Sequence, residues 1–355
     1  MRILQLIDSL DSGGAERMAI NYANMLSKDM TAFICVTRFE GLLKDAINND
    51  VNYMFLNKKH TLDFKAIKRL HNYIKQNKID VVHAHSTSFF LATIIKILNP
   101  KTKLVWHDHY GSSEFLKIRK FRILKFCSYK FNAIISVNQI LKAWAEQHLK
   151  CKNVSFLNNF ISENTKEKKE TTLKGEEGKR IVCLANLRSQ KNHLMLLDAF
   201  KEVNKINEKW TLHLIGKDQG DDYSVKLNER INNLKLRENV FIYGSKSDIY
   251  NILNHCDIGV LSSQSEGLPL ALLEYGLAKL PVVATNVGDC GKVITQSSEG
   301  FLVNSGDSKA FSKALLNYID NKPLRIENGE GLYKNVISNF SENKIKNQLI
   351  AIYTA

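Results

Sequence analysis

The chain has 355 residues, 44% of them hydrophobic and 24% charged, and its formal net charge is +14. This length predicts two domains of ordinary size, and the composition is that of folded globular proteins, which excludes the disordered and fibrous classes. No stretch of about 18 uncharged apolar residues occurs, and the six cysteines form no CxxC pair, which argues against a membrane-spanning helix, a zinc finger and a disulfide framework.

Short apolar strands alternate with helical segments through the first half of the chain. The strands are ILQLI, AFICVT, VNYMFL, VVHAH, KLVWHDH and AIISV, and the helices cover about 15–27, FKAIKRLHNYIKQ and FFLATIIKIL. Alternation at this cadence predicts right-handed crossovers and a parallel sheet covered on both faces. We therefore predict a doubly wound, Rossmann-like domain over residues 1–160.

A polar segment separates this half from a second one of the same type. The run between Ile161 and Arg180 contains one Leu and no aromatic residue, which predicts a linker over residues 161–180. Strands then resume as RIVCLANL, TLHLIG, VFIYG, IGVLSS and VVAT, which predicts a second Rossmann-like domain over residues 181–340. We expect the last helix, within residues 341–355, to pack back across the domain boundary. The fold class is therefore α/β, with two doubly wound domains facing a central cleft at the carboxyl ends of their strands.

The segment SEGLPLALLEYGLAKLPVVAT contains two glutamates separated by seven residues. Glu266 follows the strand IGVLSS, and Pro269 suits the first turn of the next helix. The backbone N–H groups of Gly267 and Leu268 would then lie at a helix N-terminus, which can bind a diphosphate or a sugar hydroxyl. Glu274, two turns into the helix, could reach a ribose diol. The alternative is that Glu266 only caps the helix and that Glu274 is solvated.

This segment resembles the Glu-seven-residues-Glu motif of glycosyltransferase family 4, a retaining family with the GT-B fold. The resemblance extends over nearly the whole chain, through SGGAER at 12–17, NLRSQKNHLMLLDAF from Asn186, TLHLIGK from Thr211, VFIYG from Val240 and PVVATNVGD from Pro281. It implies transfer of a sugar from a nucleoside diphosphate with retained anomeric configuration. It also implies catalysis without a bound metal or cofactor, because helix ends and cations stabilise the leaving group.

Two glycine positions are assigned by this resemblance. Gly13 and Gly14 would form the loop after the first strand, where glycine lets the backbone approach the donor closely. This pair lacks the GxGxxG spacing, which argues against a nicotinamide-dependent dehydrogenase. Gly244 and Ser245, after VFIY, would line the nucleotide-base end of the site.

Two cations in ANLRSQKNH suit the charge of a departing diphosphate. Arg188 and Lys191 lie in a loop after a strand and just ahead of a helix. Many family members have the Arg two residues earlier, where this chain has Asn186. Arg188 either substitutes for it by reaching in from the loop or faces solvent.

Two His-x-His pairs close strands of the first domain. Matching LVWHDHYG to the family pattern assigns His109 to the donor sugar, with His107 as the register alternative. His83 is interpreted as structural and His85 as a cleft residue of undecided role. Two such pairs could also suggest zinc, but the resemblance favours a site without metal.

The excess positive charge lies almost entirely in the first half. Residues 1–155 hold 24 Lys and Arg against 12 Asp and Glu, and the segment 115–131 has six basic residues, no acid and four Phe. This asymmetry predicts an anionic partner. We expect a cytoplasmic enzyme, peripheral on the inner face of the cell membrane, that docks through its N-terminal domain and extends a lipid-linked surface glycan.

The proposed reaction is a front-face transfer in which Lys191, Arg188 and helix N-termini stabilise the leaving diphosphate. The frequency of donors within the family favours UDP over GDP, and neither the sugar nor the acceptor can be derived from the sequence. One alternative is a nucleotide-sugar 2-epimerase of the same architecture. Another is a basic nucleic-acid-binding protein, although no helix-turn-helix, aromatic RNA-binding strand or zinc module accompanies the charge. We therefore expect no nucleic-acid partner.

Overall fold

The computed structural model describes residues 1–11, 13–111, 113–161 and 169–355, without the side chains of residues 113–115. Ser12 of the glycine motif and residues 162–168 of the predicted linker therefore lie outside the described residues.

The chain divides into two compact units. The first comprises Met1–Ser162 together with Glu342–Ala355, and the second is Glu163–Ser341. The C-terminal segment thus belongs to the same unit as the N-terminus.

Thirteen strands are present in the described part of the chain. In chain order they are β1 Arg2–Ser9, β2 Thr31–Phe39, β3 Asn52–Phe55, β4 Val81–His85, β5 Lys103–Asp108, β6 Ala133–Ser136, β7 Val154–Phe156, β8 Arg180–Leu184, β9 Thr211–Ile215, β10 Val240–Gly244, β11 Ile258–Leu261, β12 Val282–Thr285 and β13 Phe301–Val303.

The same residues form thirteen α-helices and several single 3-10 turns. The helices are α1 Gly14–Ser27, α2 Phe64–Gln76, α3 Phe89–Leu98, α4 Arg122–Cys127, α5 Gln139–His148, α6 His193–Ile206, α7 Asp222–Asn233, α8 Ile249–Asn254, α9 Leu270–Leu277, α10 Cys290–Val293, α11 Ser308–Asp320, α12 Lys322–Phe340 and α13 Glu342–Thr354. None of these helices is both long and apolar enough to cross a membrane.

Each unit contains one parallel sheet. The seven strands of the first unit follow the order β3-β2-β1-β4-β5-β6-β7, and the six strands of the second follow β10-β9-β8-β11-β12-β13. All neighbouring strands are parallel. The strand order reverses beside β1 in the first sheet and beside β8 in the second. Ligands of open parallel sheets bind at such reversals, beyond the carboxyl ends of the strands.

Apolar strand residues explain why these sheets are buried on both faces. Leu4 and Leu6 of β1 lie in the first core with Trp106 of β5, and Leu214 and Val260 lie in the second. Side-chain caps fix the start of several helices. The Asp63 carboxylate accepts from the Ala66 backbone N–H at 2.9 Å at the start of α2, and Asn138 and Asp307 cap α5 and α11 in the same way.

Candidate active site

Two loops at the carboxyl end of the second sheet are joined by hydrogen bonds. One is the 3-10 turn Ser189–Lys191 after β8, and the other is the segment 262–269 between β11 and α9. The Gln190 side-chain amide donates to the Ser265 carbonyl at 2.7 Å, and the Gln264 backbone N–H donates to the Gln190 carbonyl at 2.8 Å. The Ser262 hydroxyl donates to the Lys191 carbonyl at 2.8 Å. These bonds place Lys191 against the loop that carries Glu266.

Lys191 and Glu266 form an ion pair. The Lys191 Nζ lies 2.5 Å from the Glu266 Oε1, and the Ser263 hydroxyl donates to the same oxygen at 2.5 Å. Glu266 is buried, whereas 22% of the Lys191 side chain is exposed. An ammonium group has three donors, and this pair uses one of them. The arrangement fixes a cation at the edge of the sheet with donors left for an anionic ligand.

A glycine in the following loop approaches the Glu266 backbone too closely for any side chain. Gly288 has φ +53°, and a Cβ atom there would lie 2.1 Å from the Glu266 carbonyl oxygen. The neighbouring Asp289 N–H donates to the Gly267 carbonyl at 3.0 Å. The segment PVVATNVGD therefore packs directly against the backbone of the loop that contains Glu266 and Gly267.

The other residues predicted for the donor differ in their exposure. Gly267, Glu274, Gly244 and Ser245 are half-buried, and the Leu268 side chain is buried. Pro269 is the N-cap of α9 rather than a residue of its first turn, with φ −74° and ψ 119°. Its backbone is extended and not helical, so the helix begins at the next residue, Leu270.

The Asn at the family's Arg position has a structural partner. The Asn186 Oδ1 accepts from the Lys217 backbone N–H at 2.8 Å, which joins the loops after β8 and β9. Arg188 is exposed, and its backbone carbonyl accepts from the Lys191 N–H at 2.9 Å. The structure thus leaves Lys191 as the cation that is held in this site.

In the first unit, α1 begins one residue earlier than predicted. Its N-cap is Gly13 in an extended conformation, and Gly14 is its first residue. A Cβ atom on Gly13 would lie 2.2 Å from the Glu16 Oε2. The Ser9 hydroxyl donates to the Glu16 Oε1 at 3.3 Å, so the Glu16 carboxylate lies over the glycine turn.

Four histidines pack side by side on β4, at the end of β5 and just beyond it, and we name this group the imidazole cluster: His83, His85, His107 and His109. The His83 and His107 rings stack at 5.2 Å, and the His107 and His109 rings at 4.0 Å. Tyr22 of α1 covers them, with its ring 5.3 Å from that of His83. Alternation along a strand explains the pattern, because residues two apart face the same side of a sheet.

Only one of the four rings retains an exposed fraction. His83, His85 and His107 are fully buried, whereas His109 is half-buried. The interpretation of His85 as a cleft residue is therefore wrong, because its ring lies behind His109. The same burial removes His107 as the register alternative for contact with a ligand. Burial lowers the pKa of His109 to about 3, so its ring is neutral.

The cluster has the dimensions of a metal site but is held by hydrogen bonds. Ring nitrogens of His83, His85 and His107 all lie within 4.8 Å of one another. His83 Nε2 and His107 Nδ1 are 3.2 Å apart, and the His83 Nδ1 lies 2.7 Å from the Tyr353 hydroxyl. His85 Nε2 lies 2.8 Å from the Gln5 Oε1. The His107 Nε2 is buried without a hydrogen-bond partner among the described residues.

A buried ion pair fixes the segment that follows His109. The Arg119 guanidinium binds both oxygens of Asp108, at 2.7 and 2.8 Å, and the side chains are 8% and 2% exposed. The guanidinium carbon also lies 4.4 Å from the Tyr110 ring centre and 4.2 Å from that of Trp144. Burial raises the pKa of Asp108 even though Arg119 opposes the rise. Arg119 is therefore not one of the surface charges of the basic segment.

Sequence reasoning missed several residues that hold the site. Gln190 and Ser263 lie within quoted motifs, but a single sequence gives no sign that they pair across loops. Gly288 could have been suspected because a glycine follows a buried strand and a turn in VVATNVGD. Gln5 in the middle of an apolar strand was also informative, since a buried amide needs a partner.

Comparisons with known proteins identify the family of this chain. The model described as Glycosyltransferase Family 4 matches residues 12–164, and the model Glycosyl transferases group 1 matches residues 164–335. The amylovoran biosynthesis glycosyltransferase AmsD of Erwinia amylovora is 24% identical over 94% of each chain. An Escherichia coli UDP-Gal:alpha-D-GlcNAc-diphosphoundecaprenol alpha-1,3-galactosyltransferase is 23% identical over 94% of this chain and 89% of its own.

The fold is shared with solved structures. HepE of Anabaena, crystallised with UDP and glucose, superposes with a TM-score of 0.81 at 18% identity, over 100% of this chain and 99% of its own. The predicted fold class, GT-B with two Rossmann-like domains, is confirmed, and the epimerase alternative receives no support. Because the two family models follow one another along almost all of the chain and the motifs occur in the family order, this protein belongs to glycosyltransferase family 4 and is a glycosyltransferase.

Proposed function

We propose that the enzyme transfers a sugar, with retention, from a UDP-sugar to a lipid-linked surface glycan. The observation that carries the donor half of this proposal is the Lys191–Glu266 pair beside the start of α9. It combines a fixed cation for a diphosphate with a carboxylate for sugar hydroxyls. HepE, which shares the fold, was crystallised with UDP-glucose, and this supports UDP as the nucleotide here.

The donor would lie along the carboxyl edge of the second sheet. Lys191 stabilises the charge that develops on the leaving diphosphate, which is the largest catalytic effect available in such a site. Glu266 orients the donor sugar, Glu274 binds the ribose, and Gly244 and Ser245 contact the base. Arg188 contributes by reaching in from its exposed position.

The remaining contacts are with the sugar and its phosphates. The N–H groups of Gly267 and Leu268 and the turn at Gly13 and Gly14 approach the phosphates and the sugar, and His109 binds a sugar hydroxyl. In this proposal the second domain, 181–340, holds the donor, and the first, 1–160, receives the acceptor. No metal takes part, so activity should persist in EDTA.

The acceptor half rests on the relatives and on one exposed surface. The Escherichia coli relative is named for an acceptor on diphosphoundecaprenol. In the first unit, Ile118, Ile123, Phe126 and Tyr129 are exposed by 63–78%. Five basic side chains accompany these apolar residues on the surface; they are Lys117, Lys120, Arg122, Lys125 and Lys130. We name these nine residues the basic–apolar patch.

A patch of this composition suits an anionic lipid surface. Ile123 and Phe126 are three residues apart, so they project from one side of α4, while Leu124 and Cys127 anchor the helix in the core. Each basic residue near an anionic leaflet contributes about 1 kcal/mol, and inserted apolar side chains add burial. The enzyme would thus be cytoplasmic, peripheral on the inner face of the membrane, with no nucleic-acid partner.

A ligand screen tests the donor. Thermal unfolding is measured with UDP, GDP, UDP-glucose, UDP-galactose and UDP-N-acetylglucosamine, since a ligand at 100 times its Kd stabilises the folded state by about 2.7 kcal/mol. A larger shift with UDP than with GDP supports the proposal. The effect should be absent in Glu274→Gln if that carboxylate binds the ribose. A response to GDP alone would overturn the choice of nucleotide.

Vesicle co-sedimentation tests the membrane surface. One variant removes four charges of the basic–apolar patch, replacing Lys117, Lys120, Arg122 and Lys125 with Ser. A matched variant removes four exposed charges from α2 and the loop before it, replacing Lys59, Lys65, Lys68 and Lys75 with Ser. Arg119 stays intact because it holds Asp108. We expect loss of binding to anionic vesicles only in the first variant, and equal binding by both variants would exclude the patch.

A further inference from the structure

A chain of hydrogen bonds inside the first unit leads from β1 to His109, the half-buried member of the imidazole cluster. The Gln5 Oε1 lies 2.8 Å from the His85 Nε2, and the His85 Nδ1 lies 3.0 Å from the His109 Nε2. Gln5 and His85 are both fully buried. Neither residue can touch a ligand, so any influence on the reaction passes through His109.

The donor and acceptor roles along this chain follow from chemistry. An amide oxygen only accepts, so the His85 Nε2 must carry the proton. A neutral imidazole has one N–H, which makes the His85 Nδ1 an acceptor. The His109 Nε2 must then donate to it, and the His109 Nδ1 is left with its lone pair. Burial lowers the pKa of both rings, so the neutral forms apply.

The orientation of the Gln5 amide determines which atom donates and which accepts in each of these hydrogen bonds. The structure places the Gln5 Oε1, and not the Nε2, toward His85, at 2.8 Å from the His85 Nε2. The Gln5 Nε2 has no hydrogen-bond partner among the described residues.

We infer that Gln5 is a positioning residue that, through His85, fixes the proton of His109 on Nε2 and presents Nδ1 to the ligand as an acceptor. This inference rests on the proposed function only in identifying the ligand as the donor sugar. An acceptor nitrogen selects a hydroxyl that donates, so His109 would bind a sugar hydroxyl and would not act as a general acid.

The tautomer can be observed directly. Long-range proton–nitrogen correlation spectra of the ¹⁵N-histidine-labelled enzyme separate the two neutral forms, and the His109 signals are identified by their loss in His109→Gln. We expect His109 in the wild-type enzyme to be protonated at Nε2. A proton on Nδ1 would mean that the Gln5 amide is reversed and would overturn the inference. This measurement requires no variant of Gln5 to fold.

Two variants then assign the cause. Gln5→Met keeps the shape but removes the acceptor, and we expect it to give a mixture of His109 tautomers and to lower kcat/KM about tenfold, the effect of one hydrogen bond. Tyr22→Phe is the matched control, because the Tyr22 hydroxyl is buried beside the same cluster and has no hydrogen-bond partner among the described residues. It should change neither quantity. An unchanged tautomer in Gln5→Met would overturn the role of Gln5.

The two proposals fail separately. If His109→Gln retains full activity while the tautomer of His109 is as inferred, the assignment of His109 to the donor sugar is wrong and the positioning by Gln5 stands. If the tautomer is mixed in the wild-type enzyme, the positioning is wrong whatever the activity of His109→Gln.

Discussion

Lys191 and Glu266 are 75 residues apart in the chain and 2.5 Å apart in the structure, and they belong to loops that follow neighbouring strands of one sheet. Lys191 neutralises a buried carboxylate, and in the proposed function it also stabilises the leaving diphosphate. These two roles can be separated by experiment.

Lys191→Ala should lower turnover by about 100- to 1000-fold, the usual effect of losing a preorganised group for a leaving charge. The double variant Lys191→Ala/Glu266→Gln removes the unpaired buried charge, so we expect it to regain stability but not activity. Lys205→Ala, on the exposed face of α6, is the control for loss of a lysine. Recovery of activity in the double variant would show that Lys191 only neutralises Glu266.

Gly288→Ala should weaken donor binding and destabilise the second unit. Its Cβ would meet the Glu266 carbonyl, and its positive φ adds strain of about 1–3 kcal/mol. Gly306→Ala separates these effects, because Gly306 also has a positive φ, +86°, but open space around its Cβ position. We expect similar strain in both variants and a loss of UDP-sugar affinity, measured by calorimetry, only in Gly288→Ala. Equal affinities would contradict the supporting role of this loop.

Arg119→Ala should destabilise the first unit by about 3–5 kcal/mol, because it leaves Asp108 buried without its partner. Arg119→Lys should recover only part of this lost stability. It restores the positive charge, but an ammonium cannot bind both carboxylate oxygens in the same plane. Arg122→Ala removes an exposed charge three residues away and should cost less than about 0.5 kcal/mol. Urea unfolding measures all three, and equal losses for Arg119 and Arg122 would contradict the burial of the pair.

The first unit should lose stability as the pH falls below 6.5. The pKa values of His83 and His109 are lowered by burial from 6.5 to about 3, and those of His85 and His107 are lowered in the same direction. Between these values the unfolded chain binds protons that the folded chain does not, so the free energy of unfolding decreases with decreasing pH and is unaffected above about pH 7.5.

This pH dependence can be assigned to the first unit. Trp210 lies in the second unit, so Trp210→Phe leaves Trp106 and Trp144 to report on the first. Urea unfolding followed by tryptophan fluorescence at pH 7.5, 6.5, 5.5 and 5.0 covers the window above the range where most carboxylates titrate. A stability that does not change from pH 7.5 to 5.0 would contradict the buried, neutral cluster.

The sequence predicts the central strands better than their surroundings. Apolar runs such as VVHAH and FFLATIIKIL coincide with β4 and α3; β4 is buried throughout, and α3 buries one side against the sheet. The short elements β7 and α10 have three and four residues, which is too few for a periodic pattern. The predicted start of α1 differs from the observed start, Gly14, by one residue, because caps depend on backbone geometry.

The sequence predicts site residues that lie within one motif, but it does not predict contacts between residues of two distant segments. Glu266 and Lys191 were both identified from their motifs, but their contact depends on the adjacency of β8 and β11, which are far apart in the chain. The burial of His85 and Arg119 was not foreseen, since a charged or titratable residue gives no sign of an internal partner. Their partners, Gln5 and Asp108, lie on other segments.

Because α13 belongs to the first unit but is synthesised after the second, the first unit cannot complete its folding in the order in which its residues are made. The hydroxyl of Tyr353, two residues from the end of the sequence, lies at hydrogen-bond distance, 2.7 Å, from the Nδ1 of His83, which is 270 residues earlier. At about 5–20 residues per second the ribosome needs on the order of tens of seconds to cover that distance. Throughout this time the first sheet exists without the helix that covers its histidines. The N-terminal half is synthesised first, but it completes its folding only after Tyr353 has been made. A chain that ended a few codons before Tyr353 would lose the packing of that residue against His83.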